Sequence, residues 1–61
     1  MTMYTVSFKK NNVYQTNLVK TDKSISEIYD YFMEIKKVSD IFGIGEAMRD
    51  DIKPGKPVIK I

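Results

Sequence analysis

Cysteine and histidine are both absent from this chain. Without cysteine no disulfide framework can staple the fold, and without either residue the usual ligands of zinc, copper and iron are gone. Only a carboxylate site for magnesium or calcium stays conceivable. Arginine and alanine occur once each, against an abundance of Ile, Lys, Tyr, Asn and Asp, a bias that points to an AT-rich coding genome. No apolar run approaches the length of about 18 residues that a spanning helix needs, and no basic-then-apolar leader opens the chain. The expectation is a soluble, cytoplasmic protein. Charge of one sign is scarce as well: ten basic and eight acidic residues leave a net +2, too close to balance to argue for nucleic acid unaided.

Length sets a further limit. A chain of 61 residues has room for one core, so residues 1–61 are read as a single domain. Ordering costs roughly 1.5 kcal/mol per residue and burial returns about 25 cal/mol per Å² of apolar surface, so chains this short balance near zero. With disulfides and metals set aside, that arithmetic favours a protein partner or a homodimer.

What the sequence does contain is organised around Ser24–Lys37, SISEIYDYFMEIKK. Ser24 followed by Glu27 is the S-x-x-E capping box that opens a helix. At about 100° per residue, Ile25, Ile28, Phe32 and Ile35 share one stripe facing a core. Tyr29 and Tyr31 fall on its shoulders, and Ser26, Glu27, Asp30, Glu34 and Lys37 take the outer face. Acids lead and Lys36 and Lys37 close, the order that complements the helix dipole.

The flanks read as strands. Met3–Phe8 alternates Tyr4, Val6 and Phe8 against Thr5 and Ser7, and Val13–Lys20 follows as its hairpin partner. A two-residue Asn11-Asn12 turn would set Phe8 opposite Gln15. A three-residue Lys10–Asn12 loop sets Phe8 opposite Tyr14, Val6 opposite Thr16 and Tyr4 opposite Leu18. The second groups the apolar residues on one face and is the register expected, with Thr5, Ser7, Gln15 and Asn17 facing water. After the helix, Ile41–Gly45 is a third strand, Glu46–Asp51 a loop containing a turn, and Lys53–Lys56 a type II turn on its Pro-Gly centre. Pro57–Ile61 is a last strand, with Val58 and either Ile59 or Ile61 inward. The fold class expected is α+β with element order ββαββ: a mostly antiparallel four-stranded sheet in order 2-1-3-4, one helix packed on one face.

Four stretches carry a resemblance: Lys10–Asn12 in the hairpin, Val19-Lys20 before the capped helix, Gly43–Ala47, and the Asp50–Ile59 tail. In these the chain resembles small uncharacterised proteins of low-GC Gram-positive bacteria and their mobile elements. The resemblance implies a bacterial, mobile-element source and assigns no functional residue.

Catalysis finds little to work with. Asp50-Asp51 are adjacent, so they point different ways, and no calcium-loop spacing surrounds them. Gly43-Ile44-Gly45 lacks the third glycine of a dinucleotide fingerprint, and Lys53-Pro54-Gly55-Lys56 lacks P-loop spacing. The expectation is no enzyme, no cofactor and no metal, and instead a small protein-interaction or regulatory module. Its candidate contact residues are Tyr31 and Met33, off the centre of the helix stripe, and Met48 in a polar stretch; Met and Tyr suit adaptable surfaces. The alternative is a nucleic-acid-binding accessory protein. It would use Lys9, Lys10, Asn11 and Asn12 at the hairpin tip, joined by Lys53, Lys56 and Lys60 nearer the end.

Overall fold

Asn11 and Asn12 both hold left-handed backbone, φ 53° and 63°. Two such residues in a row form a two-residue turn whose twist matches that of the strands it joins. This computed structural model describes residues 1–61, and the turn sets the register of everything after it. Strand β1 (Thr2–Lys10) pairs antiparallel with β2 (Val13–Thr21), with Phe8 opposite Gln15, Val6 opposite Asn17 and Tyr4 opposite Val19. The three-residue loop and the Phe8–Tyr14 pairing are therefore wrong. Asparagine tolerates the left-handed region well enough for two adjacent copies to adopt it. Val19, rather than Leu18 and Tyr14, therefore shares the face of Tyr4, Val6 and Phe8.

The helix α1 (Ile25–Glu34) starts as expected from its cap but ends before Lys36 and Lys37, so its last turn carries no basic residue. Glu27 N–H donates to Ser24 Oγ at 3.3 Å, and Ser24 N–H donates to Glu27 Oε1 at 3.1 Å. The Ser24 backbone bond, then the Ser24 hydroxyl, hold the Glu27 carboxyl below its ordinary range, with a smaller contribution from Lys23. At the other end the chain leaves the helix through Lys37 in left-handed conformation, and Val38 N–H reaches back to the Phe32 carbonyl. Of the four residues expected on the core stripe, Ile28 and Phe32 are fully buried. Ile25 and Ile35 are half or more exposed.

Strand β3 (Asp40–Glu46) lies antiparallel on the far side of β1. A short 3-10 turn, Arg49–Asp51, precedes the Pro54-Gly55 turn, where Gly55 takes φ 82° as the type II geometry demands. The last strand, β4 (Val58–Lys60), pairs parallel with β2, placing Leu18 beside Val58 and Val19 beside Ile59. The sheet order is β3-β1-β2-β4, a mixed sheet, and this corrects the expected 2-1-3-4. The sequence order ββαββ, the mostly antiparallel pairing and the single helix on one face are as expected.

The position of β4 has a topological reason. The chain moves one way across the sheet from β2 through α1 to β3, and back the other way from β3 to β4. Strands β2, β3 and β4 run in the same direction, so two right-handed crossovers moving oppositely must lie on opposite faces. The helix covers one face, and the 47–57 connection passes beneath the other. Leu18 records this. It alternates with Val19, so it points away from the helix, yet it is only 1% exposed and stands outside the cluster that α1 covers.

That cluster is Val6, Phe8, Val19, Ile28, Phe32 and Val38, with Ile41, Ile44, Ile59 and Ile61 packed against its rim. Phe8 and Phe32 rings meet at 5.4 Å, tilted 55°. Each fully buried large side chain contributes about 1.5–3 kcal/mol relative to exposure. Thr21, the one buried polar residue, is satisfied twice: its hydroxyl donates to the Ile61 carbonyl at 2.9 Å and accepts from Lys23 N–H at 3.0 Å. It is Ile59 and Ile61 that face the core, while Val58 faces the other side.

Candidate functional site

The feature that stands out is the outer edge of β3. Ala47 N–H donates to the Met3 carbonyl at 2.8 Å, and antiparallel pairing then alternates. Gly43 and Gly45 bond to β1, while Ile44 and Glu46 turn their N–H and C=O groups outward. At the start of the strand the edge is closed: Ile41 N–H donates to the Asp40 carboxylate at 2.9 Å. Between these points lies a β-bulge. The pairing shifts between Ser7 and Phe8, leaving Phe42 as the extra residue on β3.

Beside the open edge runs a shallow apolar trough formed by Ile25 and Tyr29 of α1 with Ile41, Phe42, Gly43 and Ile44. Its helix wall is fixed by the Ser24–Glu27 cap, which sets where the first turn starts. Its strand wall is fixed by the bulge, which lets Ile41 and Ile44 both pack toward the helix side although they are three positions apart. Gly43 adds no side chain, and an added Cβ there would meet nothing within 4 Å.

The bulge also carries the Phe42 ring to the face opposite the helix, where it stacks on Tyr14 at 5.3 Å and 30° between planes. Tyr14 is 70% exposed and Phe42 53%. Lys9 Nζ stands 5.3 Å from the centre of the Tyr14 ring. A recess opens beside the two rings, floored by Ser7 and Thr16, whose hydroxyl oxygens are 3.3 Å apart.

The residues expected to make protein contacts are dispersed. Tyr31 packs against the core edge-on to Phe32 at 5.8 Å, and borders a groove on the helix's outer face with Lys23, Glu27, Asp30 and Glu34. Met33 is only marginally exposed. Met48 is fully displayed in the return connection, its N–H donating to Asp51 Oδ2 at 2.8 Å. The expected nucleic-acid set divides too. Lys9 and Lys10 stand at the hairpin tip, and Asn11 and Asn12 serve the turn. Lys53 and Lys56 flank the turn that enters β4, on the other side of the sheet from β3. The tip gains different company. Ser39 N–H donates to the Lys9 carbonyl at 2.8 Å, which brings Lys36 and Lys37 to the end that holds Lys9 and Lys10.

Ile25, Tyr29, Tyr14 and Phe42 were not among the expected site residues. Ile25 and Tyr14 read as core by periodicity, Tyr29 as a shoulder of the helix stripe and Phe42 only as part of the third strand. For Tyr14 the missing signal is the Asn-Asn turn, which moves it off the helix face. No group of three or more carboxylates, imidazoles or thiols is assembled that could hold a metal ion. No helix is long and apolar enough to cross a membrane. Comparison with protein-family models, with curated proteins and with solved structures returns no match.

Proposed function

We propose that this chain is a small non-enzymatic protein-interaction module that takes an extended segment of a partner onto the free edge of β3. The observation that carries the reading is the coincidence of outward-facing backbone groups at Ile44 and Glu46 with the apolar trough beside them. Strand addition draws affinity from such unpaired main-chain groups and specificity from a neighbouring pocket for alternate side chains. The absence of histidine and cysteine, and the shallowness of every surface recess, support a binding role over catalysis.

Charge defines the partner's chemistry. The edge is neutral in its middle and bears Asp40 and Glu46 at its ends. A second copy of β3 laid antiparallel in full overlap would set Asp40 against the other copy's Glu46 at both ends, and like charges placed opposite are destabilising. A segment with apolar residues at its centre and lysine or arginine on both flanks meets the same edge with complementary charge. The fitting occupant is a basic-flanked strand of another protein.

The test is selection of displayed peptides on the immobilised chain, followed by amide shift mapping. Bound peptides are expected to carry that pattern, to shift Ile44 and Glu46, and to lose affinity about tenfold or more against Glu46→Pro, which removes an outward N–H from an exposed edge position. Peptides that map elsewhere and ignore Glu46→Pro overturn the reading. Concentration-dependent sedimentation of the chain alone, shifting the same amides, would replace the partner by a second copy.

A further inference from the structure

The helix-free face carries a feature that strand addition to β3 does not use. Tyr14 and Phe42 stand stacked and exposed on open sheet, reached by a lysine and bordered by two hydroxyl groups. Buried aromatics stack to fill a core; this pair lies outside the core cluster and stays mostly in water. Phe42 is there because the bulge aims it there, and bulges recur where a side chain is redirected next to a functional site. Around the same end the charge is unbalanced. Lys9, Lys10, Lys36 and Lys37 gather there against Glu34 and Asp40, and the Asp40 carboxylate already accepts from Ile41 N–H.

We propose that the recess walled by Tyr14 and Phe42 and floored by Ser7 and Thr16 binds a base of single-stranded nucleic acid, with the adjoining phosphate held by Lys9. Every base has a π-face that an exposed aromatic ring can stack on, and a nearby cation supplies the phosphate contact that duplex geometry would otherwise keep away from a flat sheet. The hydroxyls of Ser7 and Thr16 each donate and accept, so they can meet a base edge of either polarity. Lys9 is free to leave the Tyr14 ring for a phosphate, exchanging one cation–ring contact for an ion pair. The lysines at the tip then extend the positive track by which the strand leaves the platform.

This site is independent of the β3 edge except for Phe42, which walls both, and the experiment uses that. A fluorescent oligothymidylate and an oligouridylate are titrated into the full chain at low and at high salt, beside a duplex of the same length. Expected are binding of a single strand in preference to duplex, affinity that falls steeply as salt rises, and a loss of about tenfold for Tyr14→Ala, the range of one base–aromatic stack. Tyr14→Phe should bind as the parent does. Tyr29→Ala, in the trough, should leave oligonucleotide binding unchanged. Because Tyr14 is exposed, the alanine variant should fold, and a melting curve checks it. Were it unfolded, amide shifts of the parent chain at Ser7, Lys9, Tyr14 and Thr16 on adding oligonucleotide would carry the same information. No binding of either oligonucleotide at low salt, equal binding of duplex, or shifts confined to the trough would each overturn the proposal.

Discussion

The two edges of this sheet are built differently. The β4 edge is three residues long, is preceded by Lys56 and Pro57 and bears Lys60. Short length, proline and lysine are the devices by which edge strands are kept from pairing with other chains. The β3 edge is seven residues long, has no proline or lysine, and holds its charges at its ends. Only the bulge and the Asp40–Ile41 hydrogen bond blunt it. In a domain this small both edges face the same solvent, so the difference identifies which one the fold leaves available. Stability follows a different division: β4 is tied down by Thr21 and by Ile59 and Ile61 against the core, while β3 contributes its two isoleucines and leaves one side open.

The comparison can be broken outright at the core. Phe32→Ala removes the ring on which both halves rest and should cost about 3–5 kcal/mol, on the order of the whole stability of a domain this size. A thermal melt reads this, and a variant melting within a few degrees of the parent would place the centre of the core elsewhere. Thr21→Val sharpens the comparison instead. It deprives the Ile61 carbonyl and the Lys23 N–H of their common partner, at about 1–3 kcal/mol. Hydrogen exchange should speed first at Lys60 and Ile61, with β3 amides following later; simultaneous opening would mean that the edges form one unit.

The smallest effect lies at the helix start. The Glu27 carboxyl is held below its ordinary range in the folded chain. It therefore adds stability that is present above its unfolded pKa and is lost as pH falls through the lower folded value. Acidification through that window should loosen the first turn of α1 and so shift the amides of Ile25 and its β3 neighbours, with little change in β4. Glu27→Gln should remove the acid-dependent step in an NMR titration, and an unchanged step would assign it to another carboxylate.

The helix was legible because its cap is local chemistry: Ser24 and Glu27 satisfy each other whatever the rest of the chain does. The element order was legible too, since turn residues separate the periodic stretches. The hairpin register was not, because grouping Tyr14 with Phe8 assumes that every aromatic seeks the core, whereas two adjacent asparagines decide the turn. The place of β4 escaped for a related reason. Whether Val58–Lys60 joins β3 or β2 depends on which face the 47–57 connection crosses, and nothing within those residues states it. Among the expected contact residues, Met48 is open and Tyr31 is largely given to packing. The exposed Tyr14–Phe42 pair could have been found only after the register.

The bulge at Phe42 separates what the fold requires from what the surface displays. Regular alternation would send Ile41 and Ile44 to opposite faces, and the extra residue restores their common direction. Deleting Phe42 would do the same by another route, since the two isoleucines would then stand two positions apart in an unbroken strand. A loss of three nucleotides could thus leave the core isoleucines in phase and the sheet paired, while erasing the residue that lines both recesses and the ring that stacks on Tyr14. Insertion and deletion at this one position alter the displayed surface without rewriting the interior.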